Sequence, residues 1–391
     1  MEFKNSHVLV LCITAFLAMA GGALIAPALP EMVEPLHTTT HNVGLLMSVY
    51  ALATAICTLV IGHFIDQVNR KKILVPCLVI YGLTGFLSYF VSDFQLLLAL
   101  RFIQGSGVAG MTILALLIIG DVYPGRESVK PISRVSMSLA LGAISAPLIG
   151  GGLAMIGWNY PFLFYALSLP FALLVLVYLP ETRIQKECGN DRGIREVFTV
   201  LKQLPVLFTI FLGFAIYFLL FSLVIYVPFM VKNVFGFGSG ESGLMLGIEG
   251  IAVIFMASRV NTLTERFSVT RIIIAGFVLV GISLIAISWM HSLFAVIVLL
   301  LLFGAGYGLA QTAIDVQIVN VSPAPSRGGI LSLHTCMKYI GMTVSPVIMG
   351  EILLYSDLYT VFIVAGFLGV FVALLTYSVR KQLDISSDIR I

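Results

Sequence analysis

The chain has 391 residues, of which 59% are hydrophobic and only 10% are charged. Soluble globular domains carry about 25% charged residues, so this chain has too little polar surface for a soluble enzyme, and its composition equally excludes a disordered or fibrous chain. The formal net charge of +3 gives no indication of a nucleic-acid partner. At about 20 apolar residues per span, the length suits a polytopic membrane protein with about twelve spans.

Twelve apolar runs alternate with short polar segments along the chain. The runs are continuous, whereas a membrane β-barrel would show segments of alternating polarity, and a lipid-exposed backbone must satisfy its own hydrogen bonds, so we predict helices. The first run, from Val8 to Pro30, is too long for the apolar region of a signal peptide and is read as an uncleaved span. The predicted spans are 8–29, 42–62, 73–91, 96–120, 132–156, 160–179, 204–229, 242–258, 271–289, 293–319, 329–355 and 359–379.

The basic residues predict the orientation of these spans. With both termini in the cytoplasm, all but three of the 22 Lys and Arg residues fall in cytoplasmic segments. The exceptions are Lys232 in an outside loop and Arg101 and Lys338 within spans. By the positive-inside rule, we expect both termini to be cytoplasmic. Short loops favour a prokaryotic inner membrane.

An internal repeat divides the chain into two six-helix halves. Residues of the first half align with those of the second at a constant shift of 199 positions, as Gly105 does with Gly304 and Gly142 with Gly341. We predict an all-α membrane protein of twelve transmembrane helices in two six-helix pseudo-repeats, an arrangement known for secondary transporters. The predicted divisions are the N-terminal half (1–180), a cytoplasmic central loop (181–203), the C-terminal half (204–379) and a cytoplasmic tail (380–391).

No motif for nucleotide, metal or covalent catalysis fits this pattern. The sequence contains no P-loop motif, and the five cysteines show no C-x-x-C spacing. The stretch from Gly105 to Gly110 matches G-x-G-x-x-G, yet it lies inside an apolar helix without a preceding strand, where glycines typically serve close helix packing. We therefore expect no enzyme activity, no metal and no cofactor.

Three motifs resemble those of the major facilitator superfamily, and within it the twelve-span drug:proton antiporters. The loop from Gly62 to Lys71 is similar to the family's G-x-L-a-D-r-x-G-r-k, with Asn69 in place of the second glycine. Leu97 to Ala109 follows the span-four motif l-x-x-x-R-x-x-q-G-x-g-a. Gly142 to Gly151 resembles the span-five antiporter motif g-x-x-x-G-P-x-x-G-G, with Ala146 before Pro147. The resemblance covers essentially the whole chain and implies export coupled to proton uptake, with the proton gradient as the energy source.

The loop motif suggests a cytoplasmic gate. The resemblance implies that Asp66 caps the facing span eleven near Gly328, and Arg70 can pair with Asp121 at the end of span four. Both contacts would hold the outward-open state. The second-half copy of the motif is degraded, with Glu265 at the position of Asp66. The alternative is that the basic residues here only fix the topology.

Charged residues inside spans are costly, about 2.5–3.5 kcal/mol on insertion scales, and are therefore site candidates. The resemblance assigns Arg101 to proton coupling, and a structural arginine bound to backbone carbonyls is the alternative. Glu249 lies about seven residues, or ~10 Å, inside the predicted span eight. Apolar surroundings disfavour a charged carboxylate, which suits a proton carrier or the counter-ion of a cationic substrate. The alternative is a Glu249 permanently paired with Lys338.

His334 and Lys338 lie four residues apart on span eleven and share a face, so they are expected to join Glu249 in a polar cluster. Taken alone, a histidine such as His334 is more often a hydrogen-bonded core residue than a proton relay. Asp315, near the cytoplasmic end of span ten, is a second candidate for proton coupling or a gate residue.

Aromatic, polar and methionine side chains are expected to line the substrate site. Their bulk favours a lipophilic substrate over a sugar. The candidate substrate-binding residues are Gln104, Tyr50, Met47, Tyr217, Phe221, Tyr307, His334 and Lys338.

The sequence thus predicts a secondary active transporter that exports lipophilic or cationic drugs or metabolites by proton antiport and alternating access. The expected partners are a small-molecule substrate, protons and the lipid bilayer, and one chain suffices as a monomer. The alternative is a narrow-specificity transporter of one polar or anionic compound, such as a siderophore, sugar or amino acid, with Arg101, His334 and Lys338 as anchors. A non-transporting sensor is disfavoured because the gate motifs would then be superfluous.

Overall fold

A computed structural model describes residues 5–64, 68–123, 125–180, 199–323 and 326–388. These residues are helical or in turns, and none of them forms a strand. Twelve helical segments within this part of the chain are long and apolar enough to cross a membrane. The prediction of an all-helical protein with twelve spans is therefore confirmed.

The twelve helices are labelled α1 to α12 in chain order. The first six are α1 (Asn5–Met32), α2 (Thr40–Gly62), α3 (Arg70–Ser88), α4 (Phe94–Val122), α5 (Lys130–Ala154) and α6 (Pro161–Tyr178). The second six are α7 (Leu204–Phe235), α8 (Ser239–Thr264), α9 (Val269–Ile287), α10 (Leu293–Val321), α11 (Arg327–Tyr355) and α12 (Leu358–Asp384).

Polar side chains define several helix ends. The Asn69 side chain accepts a hydrogen bond from the Lys71 backbone N–H at 3.0 Å and so caps α3, while Asp93 caps α4 by accepting from the Leu96 N–H at 2.7 Å. Asp357 accepts from both the hydroxyl and the backbone N–H of Thr360 at the start of α12, and these bonds lower the pKa of its carboxyl group. Such caps satisfy the first N–H groups of each helix, which otherwise lack partners.

Contacts divide the chain into two compact units. The first unit comprises Met1–Glu187 with Gly236–Leu244, and the second comprises Cys188–Phe235 with Met245–Ile391. The first eighteen residues of the expected central loop, 181–198, lie outside the described residues.

Each unit has the same internal packing order. In the first unit α1 packs on α5, and α3 packs on both α4 and α6. In the second unit α7 packs on α11, and α9 packs on both α10 and α12. These pairs correspond to one another six helices apart, as a structural repeat requires.

Close glycine contacts repeat at the same positions. A Cβ at Gly142 of α5 would overlap the Phe16 carbonyl oxygen of α1, and a Cβ at Gly341 of α11 would overlap the Phe214 carbonyl oxygen of α7. Glycine allows two helix backbones to approach more closely than any other residue. The repeated glycines in the sequence therefore correspond to repeated helix crossings in the two units.

Candidate functional site

Arg101 is completely buried within the first unit, about two turns from the start of α4. Its Nε donates to the Leu46 carbonyl oxygen at 3.3 Å, and its Nη1 donates to Gln104 Oε1 at 2.7 Å and to the Tyr165 hydroxyl at 3.3 Å. The guanidinium carbon lies 4.2 Å from the centre of the Tyr50 ring. Arg101 of α4 is thus bound directly by residues of α2, α4 and α6. Helix α3 contributes indirectly, because the Tyr81 carbonyl oxygen accepts a hydrogen bond from Gln104.

No carboxylate among the described residues balances the Arg101 charge. Its Nη2 is buried and has no hydrogen-bond partner within the part of the chain that the structure describes. Carbonyl dipoles and the face of Tyr50 stabilise the cation, and a desolvated cation–π contact contributes about 2 kcal/mol. The hydrogen bond to the Leu46 carbonyl oxygen agrees with the alternative that Arg101 is a structural arginine. The Nη2 group nevertheless remains a donor without a partner among the described residues.

Three expected substrate-binding residues of the first unit are buried in this structure. Met47 is 1% exposed, Tyr50 is 2% exposed and Gln104 is fully buried. Tyr50 covers Arg101, and Gln104 binds it. In this structure the three side chains pack inside the first unit, and their expected role in substrate binding stays a prediction.

A polar cluster in the second unit is centred on Asp315 of α10. The Lys338 ammonium donates to Asp315 Oδ1 at 2.5 Å, and His334 Nε2 lies 3.4 Å from the same oxygen. Gln311, one helical turn before Asp315, donates to Oδ2 at 2.7 Å. The Asp315 side chain is 47% exposed although it lies within a membrane helix, so it faces accessible space instead of apolar packing.

The expected association of Glu249 with Lys338 and His334 is wrong. Both basic side chains contact Asp315 instead, since the four-residue spacing that puts them on one face of α11 directs that face toward α10. A permanent Glu249–Lys338 pair, the alternative for Glu249, is equally absent from the described residues.

Glu249 is a buried acid in α8. Its residue is 6% exposed, and its Oε1 has no hydrogen-bond partner among the residues that the structure describes. The helix begins three residues earlier than the sequence predicts, at Ser239, so Glu249 lies ten residues or ~15 Å from that end. Its backbone carbonyl packs against Gly304 of α10.

Aromatic side chains follow one face of α7. Phe211, Phe214 and Tyr217 recur every three residues and are half-buried, whereas Phe221 is 4% exposed. Tyr217 contacts the Tyr307 ring with 6.2 Å between ring centres. The Lys338 ammonium lies 5.4 Å from the centre of the Tyr217 ring, so this face is continuous with the Asp315 cluster.

One of the two gate contacts falls within the described residues. Arg70 Nε donates to Asp121 Oδ2 at 3.0 Å, joining the start of α3 to the end of α4. This is the pair expected from the sequence, and its gating role stays a prediction. Asp66 lies outside the described residues.

Several residues of these clusters were not predicted from the sequence. Gln311 could have been found, because it lies four residues before Asp315 on one helix face. Tyr165 is 64 residues from Arg101, and only the packing of α6 brings it there. Gly213 gives room to the His334 ring, since a Cβ at that position would overlap it.

The described residues contain no group of three or more His, Cys, Asp or Glu side chains placed to hold a metal ion. The chemistry of both units is instead that of charges and hydrogen-bond donors inside membrane helices, which typically mark substrate and ion pathways.

Comparison with known proteins places these features in a family. The model of the Major Facilitator Superfamily matches residues 11–263 and 260–387. The chain is 28% identical over 382 residues to the bacillibactin exporter of Bacillus subtilis (strain 168), covering 93% of this chain and 94% of that protein. It is 25% identical over 367 residues to multidrug resistance protein 1 of the same organism, covering 90% of each.

Solved structures agree at the level of the fold. The nucleoside transporter NupG superposes with a TM-score of 0.78 at 16% identity, covering 97% of this chain and 100% of that one. The D-xylose-proton symporter superposes with a TM-score of 0.76 at 16% identity, covering 95% and 96%. Together with the family match and the twelve membrane helices, these likenesses show that the chain belongs to the Major Facilitator Superfamily and is a multi-pass secondary transporter, not an enzyme.

Proposed function

We propose that this protein is a proton-coupled exporter of lipophilic or cationic compounds. It works as a monomer by alternating access in the cell membrane, with both termini in the cytoplasm and the proton gradient as its energy source. The observation that carries the proposal is the Glu249 carboxyl group, which is buried in α8 with an oxygen that has no partner among the described residues.

Glu249 has the properties required of a proton carrier. Burial penalises the charged form of a carboxyl group, and no neighbouring cation compensates for that penalty in the described part of the chain. The buried carboxyl group is stable in its protonated, neutral form. It releases the proton when a conformational change gives it access to water. Asp315 is the second proton site in this scheme. Its carboxylate is accessible, but its three donors favour the charged form, so it binds a proton only when Lys338 and His334 move away.

The aromatic face of α7 supports a lipophilic substrate. Half-buried rings at Phe211, Phe214 and Tyr217 offer apolar surface beside the accessible Asp315 carboxylate. Aromatic rings near an acid attract organic cations through both dispersion and cation–π contacts. Relatives named as multidrug resistance proteins are consistent with this chemistry.

The gate in this proposal uses Arg70 and Asp121, with Asp66 as a further contact. The Arg70 side chain is 6% exposed and that of Asp121 is 32% exposed, so the pair is partly shielded from solvent. Breaking it would favour opening of the cytoplasmic side.

A second candidate function is narrow-specificity export of one polar or anionic compound. The specific observation in its favour is Arg101, a buried cation without a carboxylate among the described residues. The similarity to a protein named bacillibactin exporter also favours a single-compound transporter. In that case Arg101, His334 and Lys338 bind the substrate.

Purified protein in liposomes with an internal pH dye tests the proposal. Adding a panel of lipophilic cations and neutral drugs under an imposed proton gradient is expected to trigger proton movement. Glu249→Gln removes the proton-binding group and is expected to abolish that response while the protein still folds. Glu351→Gln is the matched control, because Glu351 is an exposed acid of α11.

Two results would contradict the proposal. A normal proton response in Glu249→Gln would remove Glu249 from the role of proton carrier. Absence of any response to the whole panel in folded wild-type protein would favour the single-compound transporter. Competition between structurally unrelated cations separates the two functions further, because only a broad-specificity site accepts them all.

A further inference from the structure

The crossing of α2 and α4 in the first unit places an aromatic ring over a cation. A Cβ at Gly105 would overlap the Tyr50 carbonyl oxygen, so the two helices are in direct backbone contact there. Arg101 lies one turn before Gly105 on the same face of α4. From that position its guanidinium reaches the Tyr50 side chain, 4.2 Å from the ring centre.

The second unit contains the same crossing between α8 and α10. A Cβ at Gly304 would overlap the Glu249 carbonyl oxygen and would lie 3.1 Å from the Ala252 Cβ. In the first unit the corresponding Cβ at Gly105 would lie 3.1 Å from the Ala53 Cβ. All three positions differ by the repeat shift of 199, so Glu249 takes the place of Tyr50 in an equivalent backbone arrangement.

The residue one turn before Gly304 is Leu300, which is fully buried. In the repeat, Leu300 corresponds to Arg101 and Glu249 corresponds to Tyr50. Leu300 is therefore placed relative to Glu249 as Arg101 is placed relative to Tyr50. The first unit has a cation at this position and no acid, and the second has an acid and no cation.

We infer that Leu300 is a positioning residue that keeps the Glu249 carboxyl group without a counter-cation, and thereby keeps it able to exchange a proton. This inference rests on the proposed role of Glu249 as proton carrier. A basic side chain at position 300 would reach the carboxyl group as Arg101 reaches Tyr50. An opposite charge within about 4–6 Å favours the charged form of an acid and would hold Glu249 ionised.

Within the described residues of the second unit, no cation is paired with Glu249. Lys338 and His334 contact Asp315. Tyr307, three residues after Gly304 on α10, is buried, and its ring lies against Phe303 and Tyr217. Glu241, in the first turn of α8, binds the Gly238 backbone N–H. Leu300 is therefore the position at which a cation would alter Glu249 most directly.

Leu300→Arg tests the inference in the liposome assay across a range of pH. We expect the substrate-triggered proton response to fall about tenfold or more at neutral pH, and the pH of half-maximal response to move down, because the ion pair holds the carboxylate charged. Leu300→Met, which is of similar volume and uncharged, is expected to keep the response and its pH profile. A Leu300→Arg protein with the pH profile of Leu300→Met would overturn the inference.

Thermal unfolding of four proteins supplies a measurement that does not depend on transport. The set is wild type, Leu300→Arg, Glu249→Gln and the double variant. We expect Leu300→Arg to lower Tm more in the Glu249→Gln background than in wild type, because the buried arginine then lacks its partner. Equal losses of Tm in both backgrounds would show that position 300 does not face the acid, and would overturn the inference.

The two measurements separate the possible failures. Normal proton-coupled export by the Glu249→Gln variant would contradict the proposed role of Glu249 as proton carrier. The Tm values of the four proteins would still show whether residues 249 and 300 interact. Leu300→Lys, with a shorter and more flexible cation, is taken through both measurements so that the outcome does not depend on the folding of one variant. The same expectations and the same overturning results apply to it.

Discussion

The Asp315 carboxylate has three donors, and two of them come from α11. Lys338 and His334 share Oδ1, while Gln311 binds Oδ2. Lys338 is largely buried, with 12% of its side chain exposed, so Asp315 is the group that makes its charge tolerable within the helix bundle of the second unit. The ion pair is thus both a structural contact and, in the proposed function, a proton-sensitive one.

Replacing Asp315 by Asn is expected to destabilise the protein. The change leaves Lys338 as a buried cation without a charged partner. Removing one member of a fully buried pair costs about 3–5 kcal/mol, and the 47% exposure of Asp315 reduces the expected cost to about 1–3 kcal/mol. Thermal unfolding in detergent measures the effect as a lower Tm.

The control for this prediction removes both charges. Asp315→Asn combined with Lys338→Met is expected to recover most of the lost stability, because no uncompensated charge remains. If the double variant were as unstable as the sum of the single changes, the pair would not be coupled, and the explanation would be wrong.

At the scale of the residue, the sequence identified the charged side chains within the spans but not their partners. Arg101, Glu249, Asp315 and Lys338 stand out because a charge in an apolar run is rare. Which acid would meet Lys338 depended on the direction that one face of α11 takes in space. That direction is set by packing, and residue spacing does not encode it.

Glycines govern the approach of neighbouring helices. At Gly304 a Cβ would collide with backbone atoms of α8, which cannot move aside as a side chain can. At Gly120, near the end of α4, a Cβ would meet nothing within 4 Å. Comparing alanine substitutions at the two positions therefore separates the steric cost of a Cβ at a close helix crossing from the difference in helix propensity between glycine and alanine.

Gly304→Ala is expected to destabilise the protein by about 1–3 kcal/mol, because it forces α8 and α10 apart. Gly120→Ala, the matched control, is expected to be neutral or stabilising by up to about 1 kcal/mol, since alanine favours the helix and has space. Thermal unfolding of both proteins checks the difference. A Gly304→Ala protein as stable as Gly120→Ala would mean that the close crossing is absent.

At the scale of the helix, apolar length and glycine position predicted most of the structure. All twelve spans are found, because a membrane helix needs a continuous apolar run and little else. The bounds were less well determined. The membrane span of α12 ends at Asp384 and its helix continues to Asp388, beyond the predicted span 359–379, because its polar end can continue as helix outside the apolar region.

For the whole molecule, the distribution of basic residues predicts the orientation in the membrane. The turn between α9 and α10 contains His291, and the turn between α8 and α9 contains Arg266, and both are exposed. In the proposed orientation, the first lies outside the cell and the second in the cytoplasm.

Thiol labelling of intact cells tests this orientation. In a background with the five cysteines replaced, His291→Cys is expected to react with a membrane-impermeant reagent, whereas Arg266→Cys reacts only after the membrane is opened. Labelling of the denatured proteins serves as the control for reagent access. The reverse pattern would overturn the proposed topology.

The sequence alone determined the membrane class, the twelve helices and the repeat, because each depends on local composition or on a regular spacing along the chain. It also singled out the buried charges. Only the tertiary structure decided that Lys338 belongs to Asp315, that Arg101 lies beneath Tyr50 and Tyr165, and that Glu249 is left without a cation among the described residues. Those relations join residues from different helices, and they follow from how close the glycines let the helices come and which faces then meet.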